Sequence, residues 1–142
     1  LREIVDTALR RAAKILNGHR IELKLASRLP MVEVDAVLFE QALFNILDNA
    51  AKYAPPGTAI RIETEQDGPS VVLRVMDEGE GIPPAELEHI FDKFYRARKG
   101  DQVRPGTGLG LAIARGFIEA MKGSIVATNR YDSSGAAFMT SR

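Results

Sequence analysis

Gln41, Asn45, Asn49 and Lys52 recur on successive turns of one predicted helix. At 3.6 residues per turn they share one stripe of the segment 39–54, while Phe39, Leu43, Ile46, Leu47, Ala50 and Ala54 fall on the other side. Carboxamide oxygens suit a hard cation such as Mg²⁺, which keeps some waters and also takes phosphate oxygens. A lysine one turn beyond meets phosphate as a point charge. Taken alone, such a stripe is more simply a solvated helix face.

Two glycine clusters change that balance. Asp77-Glu78-Gly79-Glu80-Gly81 stands where a predicted strand ends. A carboxylate fixed there can accept from an exocyclic amine such as that of adenine, and glycines beside it let backbone approach a ligand closely. An acidic turn accounts for this short pattern equally well. Gly106-Thr107-Gly108-Leu109-Gly110-Leu111 runs from a long polar loop into a helical pattern. Backbone N–H groups at a helix start, with the positive end of the dipole, cradle phosphate. The cluster is no P-loop, because Gly-Lys-Ser/Thr is absent. It is no dinucleotide fingerprint either: Leu111 stands where a third small residue is wanted, and no strand leads in.

The elements that position these groups follow from periodicity. Ile4, Val5, Ala8, Leu9, Ala12, Ile15 and Leu16 predict a helix over 1–16, stopped at Asn17-Gly18. Ile21, Leu23 and Leu25 alternate with charges as a half-buried strand, and Val32 and Val34 suggest a short second one. Asp35 is a good N-cap for the central helix, which ends at Pro55-Pro56-Gly57. Ile60, Ile62 and Thr64 alternate in a strand that the turn 66–69 joins to 71–76 as an antiparallel hairpin. A short helix over 84–91, a mobile loop over 97–107, a helix over 108–121 and a hairpin of 124–129 with 136–140 complete the chain. The fold class expected is α+β: a two-layer sandwich whose mixed, mostly antiparallel sheet carries the helices on one face.

Composition excludes other classes of function. The 142 residues, 45% hydrophobic and 27% charged, suffice for one domain with a real core. Nineteen basic and 19 acidic residues cancel, so no global field favours nucleic acid or a membrane surface. The absence of cysteine excludes disulfides and thiol catalysis, and the two histidines lack metal-ligand spacing. His19 reads as a bland surface residue. The chain starts in a helical pattern and stops in a predicted strand, as a piece of a longer protein would.

The asparagine stripe, the Asp-x-Gly-x-Gly turn, Phe91-Asp92-Lys93-Phe94-Tyr95-Arg96 and the Gly-rich helix start come in this order at this separation. Together they resemble the ATP-binding catalytic domain of bacterial sensor histidine kinases, the fold shared with gyrase-, Hsp90- and MutL-type ATPases. Each motif is weak by itself, but the series is specific and covers nearly the whole chain. Leu-Asp-Asn-Ala-Ala-Lys-Tyr at 47–53 and Ala112-Ile113-Ala114-Arg115-Gly116 after the glycines look most like the potassium-responsive sensor kinases.

The resemblance implies a Bergerat-type ATP-binding fold over 1–142, with ATP and Mg²⁺ as cofactors. It implies that Asn49 coordinates Mg²⁺, that Asn45 sits near the γ-phosphate, that Lys52 reaches phosphate oxygens and that Tyr53 packs by the nucleoside. Asp77 would bind the adenine amine, with Gly79, Gly81 and Ile82 shaping the pocket. Phe91 and Phe94 would anchor a lid, although aromatics at i and i+3 are usually core, and Arg96 would reach a phosphate. Gly106, Thr107, Gly108, Leu109, Gly110 and Leu111 would hinge the lid and wrap the phosphates. The implied partners are the dimerisation domain bearing the phosphoacceptor histidine and a downstream response regulator, with no nucleic acid and no direct membrane contact. The implied location is the cytoplasmic part of a membrane-anchored sensor kinase.

Two departures stand out. Ser133-Ser134-Gly135-Ala136-Ala137-Phe138 matches the family's last glycine motif only at Gly135 and Phe138, so a hydroxyl at 136 is missing. Glu78 and Glu80 add negative charge beside the adenine turn. Three other functions share much of the pattern: a gyrase- or Hsp90-type ATPase, a nucleotide-binding regulatory module without transfer, and a serine kinase of the anti-sigma type. The first carries glutamate where Asn45 stands, and the full phenylalanine motif at 91–96 disfavours the last.

Overall fold

The computed structural model describes residues 2–27, 29, 35–79, 81–82, 84–87, 89–92, 98–99, 102–103, 110–130 and 136–141. Among them three helices, α1 (Arg2–Arg11), α2 (Ala36–Tyr53) and α3 (Gly110–Ala120), accompany seven strands. The strands are β1 (Arg20–Lys24), β2 (Ala59–Asp67), β3 (Ser70–Met76), β4 (Arg98–Lys99), β5 (Gln102–Val103), β6 (Ser124–Asn129) and β7 (Ala136–Ser141). Five of them make one sheet in the order β1-β2-β3-β7-β6, in which only β1 and β2 run parallel. The α+β class with a mixed, mostly antiparallel sheet is therefore the observed one. Both expected hairpins, β2–β3 and β6–β7, are present.

Register sorts the sheet residues by face. Ile62 opposite Val75 and Thr64 opposite Leu73 turn toward the helices, and Glu63 opposite Arg74 turns away. Ile60, Ile62, Leu73, Val75 and Ile125 from the sheet share one core with Val5 and Ala8 of α1, the apolar stripe of α2, and Ala114 and Ile118 of α3. That stripe comprises Phe39, Ala42, Leu43, Ile46, Leu47 and Ala50, so α2 is the helix the core is built on. Burial of each large apolar side chain contributes roughly 1.5–3 kcal/mol. On the outer face Glu65 and Arg74 form a diagonal cross-strand ion pair.

Local chemistry fixes the ends of α2. Asp35 Oδ1 accepts from the Val37 and Leu38 N–H groups at 3.0 and 3.1 Å, satisfying two orphan donors of the first turn. Pro55 stops the helix, and Gly57, at φ 84°, turns the chain so that its N–H meets the Gly18 carbonyl at 2.6 Å. His19 is half-buried, its Nδ1 3.1 Å from the Thr58 carbonyl oxygen, so it pins this turn instead of lying on a bland surface.

Four expectations differ from the structure. Regular helix ends at Arg11, and the chain runs on through turns whose bonds from Ala13 and Asn17 span only three residues, with Ala12 and Leu16 still buried. β1 is an edge strand, and Leu23 is 43% exposed because the helical layer does not extend over it. The helix over 84–91 shrinks to one 3₁₀ turn, Pro84–Glu86, followed by three-residue bonds from His89 and Asp92. Inside the segment expected as loop, Arg98–Lys99 pairs antiparallel with Gln102–Val103. The suggested strand at Val32 and Val34 lies outside the described residues, as do Glu80, Gly100, Pro105 and the residues 133–135 of the last glycine motif.

Candidate functional site around the end of α2

With the apolar stripe of α2 buried, Gln41, Asn45 and Asn49 remain half-buried and Lys52 exposed along its opposite face. The Asn49 carboxamide has no hydrogen-bond partner among the described residues, which leaves its oxygen for a ligand. Lys52 Nζ sits 2.9 Å from Asp48 Oδ2, one turn back. Such a solvent-exposed pair contributes about 0–1 kcal/mol, so a polyanion can draw the ammonium away.

The Asp77 turn meets this helix at its C-terminal end. Asp77 is 4% exposed, and its Oδ1 accepts from the Gly79 N–H at 2.9 Å. A Cβ built on Gly79 would lie 3.0 Å from the Tyr53 carbonyl oxygen and 3.2 Å from Asp77 Oδ1. Glycine lets the turn seat there without displacing its neighbours, which joins two motifs far apart in sequence. Gly81, at φ 84°, needs the left-handed region that glycine adopts freely. Glu78 does not add its charge to the pocket as feared: its Oε2 accepts from the Ala59 N–H at 3.2 Å, turned to the start of β2.

Two residues that sequence reasoning passed over hold this turn from the far side. Asn129 clamps Ile82 in both directions, accepting from its N–H at 2.6 Å and donating to its carbonyl at 2.8 Å. Arg130 Nη1 donates to the Asp77 carbonyl at 3.1 Å. Both lie at the end of β6, about fifty residues on, and no local pattern marks them. Asn129→Ala is expected to speed exchange of the Ile82 amide about fivefold, because a lost hydrogen bond is worth about 1 kcal/mol. Hydrogen exchange read by NMR checks this, and an unchanged rate would mean that the clamp is idle.

Gly110 opens α3 in ordinary helical conformation, and half-buried Leu111 packs on the core. Phe91 also packs against the core, with the Arg115 guanidinium 6.0 Å from its ring centroid. Phe94, Arg96, Gly106, Thr107, Gly108 and Leu109 lie outside the described residues. The structure thus seats the turn bearing Asp77 and Gly79 against Tyr53 at the C-terminal end of α2, with Lys52, Asn49 and Asn45 running back along that helix and Gly81 and Ile82 following the turn.

Known proteins resemble this chain over nearly its whole length. The family described as histidine kinase-, DNA gyrase B-, and HSP90-like ATPase matches residues 34–140. Sensor protein KdpD of Escherichia coli (strain K12) is 42% identical over 138 residues, 97% of this chain and 15% of that protein. KdpD of Clostridium acetobutylicum is 39% identical over 137 residues, again 15% of the longer protein, so the chain spans a small part of these relatives. Among solved structures, the mycobacterial sensor histidine kinase MprB superposes with a TM-score of 0.85 at 30% identity, covering 99% of this chain and 91% of that one. Full-length ShkA in complex with AMPPNP superposes with a TM-score of 0.75 at 29% identity, covering 99% of this chain and 28% of that one. The chain belongs to the histidine kinase-, DNA gyrase B- and HSP90-like ATPase family, as a catalytic domain of the sensor histidine kinase type.

Proposed function

We propose that this domain binds Mg²⁺-ATP and donates the γ-phosphoryl group to a histidine on the dimerisation domain of a two-component sensor kinase, which then passes it to a response regulator. The observation that carries the proposal is the seating of Gly79 on the Tyr53 carbonyl. It sets a buried carboxylate beside the end of a helix whose outward face bears two carboxamides and an ammonium. Adenine would lie against Asp77, whose carboxylate the Gly79 N–H orients toward the exocyclic amine. The phosphates would then extend along α2 past Lys52 and Asn49 toward Asn45.

The donor set fits Mg²⁺. Asn49 offers one hard carboxamide oxygen, and Mg²⁺ commonly takes one or two protein oxygens while phosphates and waters complete its shell. The ion, when bound, neutralises charge shared by the β- and γ-phosphates. Phosphoryl transfer then forms a bond from an imidazole nitrogen of the dimerisation domain to γ-phosphorus and breaks the bond to the ADP oxygen. This chain's side chains hold the phosphates for that displacement, in which positioning and charge stabilisation are most of the catalysis. Asn45 orients a ligand but takes no proton. The family match, the kinase relatives and the AMPPNP bound by ShkA support this reading.

Calorimetry of ATP into this chain, with and without Mg²⁺, tests the binding half. ATP is expected to bind in both conditions and more tightly with Mg²⁺, and Asn49→Ala to abolish the difference. A difference that survives Asn49→Ala removes Asn49 from the metal.

A further inference from the structure

Arg11 ends α1, upstream of the family match at 34–140, yet its side chain reaches across to α2. Its Nη1 donates to Glu40 Oε2 at 2.6 Å and to Gln41 Oε1 at 3.1 Å, and the guanidinium lies 4.5 Å from the Phe44 ring centroid. Gln41 Nε2 in turn donates to Asn45 Oδ1 at 3.2 Å. This directionality is forced. A guanidinium has only donors, so the atom Gln41 turns to Arg11 must be its oxygen. Its NH₂ therefore faces Asn45, and the atom Asn45 returns must be oxygen too. The Asn45 NH₂, which has no partner among the described residues, is what remains for a ligand.

We infer that Arg11 is a positioning residue for the nucleotide site: through Gln41 it fixes the Asn45 carboxamide so that two N–H donors, not the carbonyl oxygen, face the phosphates. The inference rests on the proposed placement of Asn45 beside the terminal phosphate. Its chemical sense is direct. Phosphate oxygens need donors, and a freely rotating amide would present its oxygen to them in one of its two orientations. Asn49 has no such restraint among the described residues and can turn its oxygen to a cation. The two asparagines of the stripe thus take opposite polarity, one set by a neighbour and one by the ligand.

Glu40 complicates the obvious variant. Its side chain is 12% exposed and its Oε1 is buried with no partner among the described residues, so Arg11→Ala leaves a buried carboxylate without its counter-charge and risks the fold. Arg11→Lys keeps the charge for Glu40 but loses the planar guanidinium that lies over Phe44 and aims the Nη1 N–H groups at Glu40 and Gln41 together. Gln41→Glu removes the donor to Asn45 and offers only acceptors, so the Asn45 amide must turn over.

The test uses side-chain amide NMR on the 142-residue chain, with Asn45→Ala assigning the signal. In Gln41→Glu the Asn45 NH₂ resonances are expected to move, one proton downfield and about tenfold slower to exchange, as a new hydrogen bond protects it. In Arg11→Lys they should shift as well, because the Asn45 oxygen loses its fixed donor, and Mg²⁺-ATP should bind about two- to tenfold more weakly. In an Asn45→Ala background Arg11→Lys should cost nothing further, a non-additivity that general loosening of the fold would not produce. Asn45 signals unmoved in both variants overturn the relay while leaving the proposed function standing. Additive losses overturn it as well, because Arg11 then acts other than through Asn45. Wild-type affinity in Asn45→Ala overturns the placement of Asn45 itself, whatever the NMR reports.

Discussion

Supplied with its matching dimerisation domain, this chain is expected to phosphorylate that domain's histidine, while alone it releases phosphate from ATP hardly at all. The first half follows from the roles proposed for the groups along α2 and at its end: Asp77 for the base, Lys52 and Asn49 for the phosphates and Mg²⁺. The second half follows from Asn45. In the gyrase- and Hsp90-type relatives a glutamate at that position activates water, and a positioned general base typically contributes a hundred- to ten-thousandfold. A carboxamide takes no proton at neutral pH, and Asn45's own oxygen is already occupied by the Gln41 N–H at 3.2 Å. Bound ATP should therefore wait for an imidazole, which brings its own lone pair. Asn49→Ala should reduce the transfer at least a hundredfold by releasing the metal from the site, without making hydrolysis any faster. Labelled γ-phosphate followed in parallel to free phosphate and to acid-labile phosphoprotein reads both outcomes. Brisk phosphate release by the lone chain, with no transfer to any histidine-bearing partner, would favour the ATPase reading over the kinase one.

The helix α2 was legible in the sequence because every determinant of it is local. Asp35 caps it, Pro55 stops it, and the apolar stripe through Leu43 and Ala50 reports a buried face directly. The two hairpins were legible for the same reason. β1 was legible as a strand, but its exposure was not: alternation of Ile21 and Leu23 says that one face is apolar, but not whether a second layer reaches far enough to cover it. Nor could periodicity tell where α1 stops, since Ala12 and Leu16 stay buried in turns of nearly helical pitch. In the site, the residues proposed to touch nucleotide stand out in sequence, because the glycines and amides come in short runs. Those that hold them do not. The Asn129 clamp on Ile82, the Arg130 contact to Asp77 and the Arg11 reach to Gln41 span thirty or more residues and leave no trace in any window of sequence.

Asp77→Asn is expected to weaken adenine-nucleotide binding about ten- to a hundredfold with the fold intact, and the geometry of the turn explains why the two effects separate. Asp77 Oδ1 accepts from the Gly79 N–H at 2.9 Å, an arrangement that the asparagine oxygen reproduces, so the turn keeps its shape. Keeping that bond commits the new NH₂ group to the other position of the carboxyl. There it would meet the exocyclic amine of adenine donor against donor, where the wild-type carboxylate accepts. A hydrogen bond to a charged group is worth roughly 1.5–3 kcal/mol, which sets the size of the loss. Gly79→Ala serves as the contrasting variant: its methyl group would lie 3.0 Å from the Tyr53 carbonyl, so turn and helix must part slightly, and a loss of affinity should come together with a loss of stability. Calorimetry with ATP alongside thermal melts of both variants distinguishes the cases. If the Asp77→Asn chain melts like the wild type and still binds ATP with unchanged affinity, Asp77 shapes the turn without reading the base.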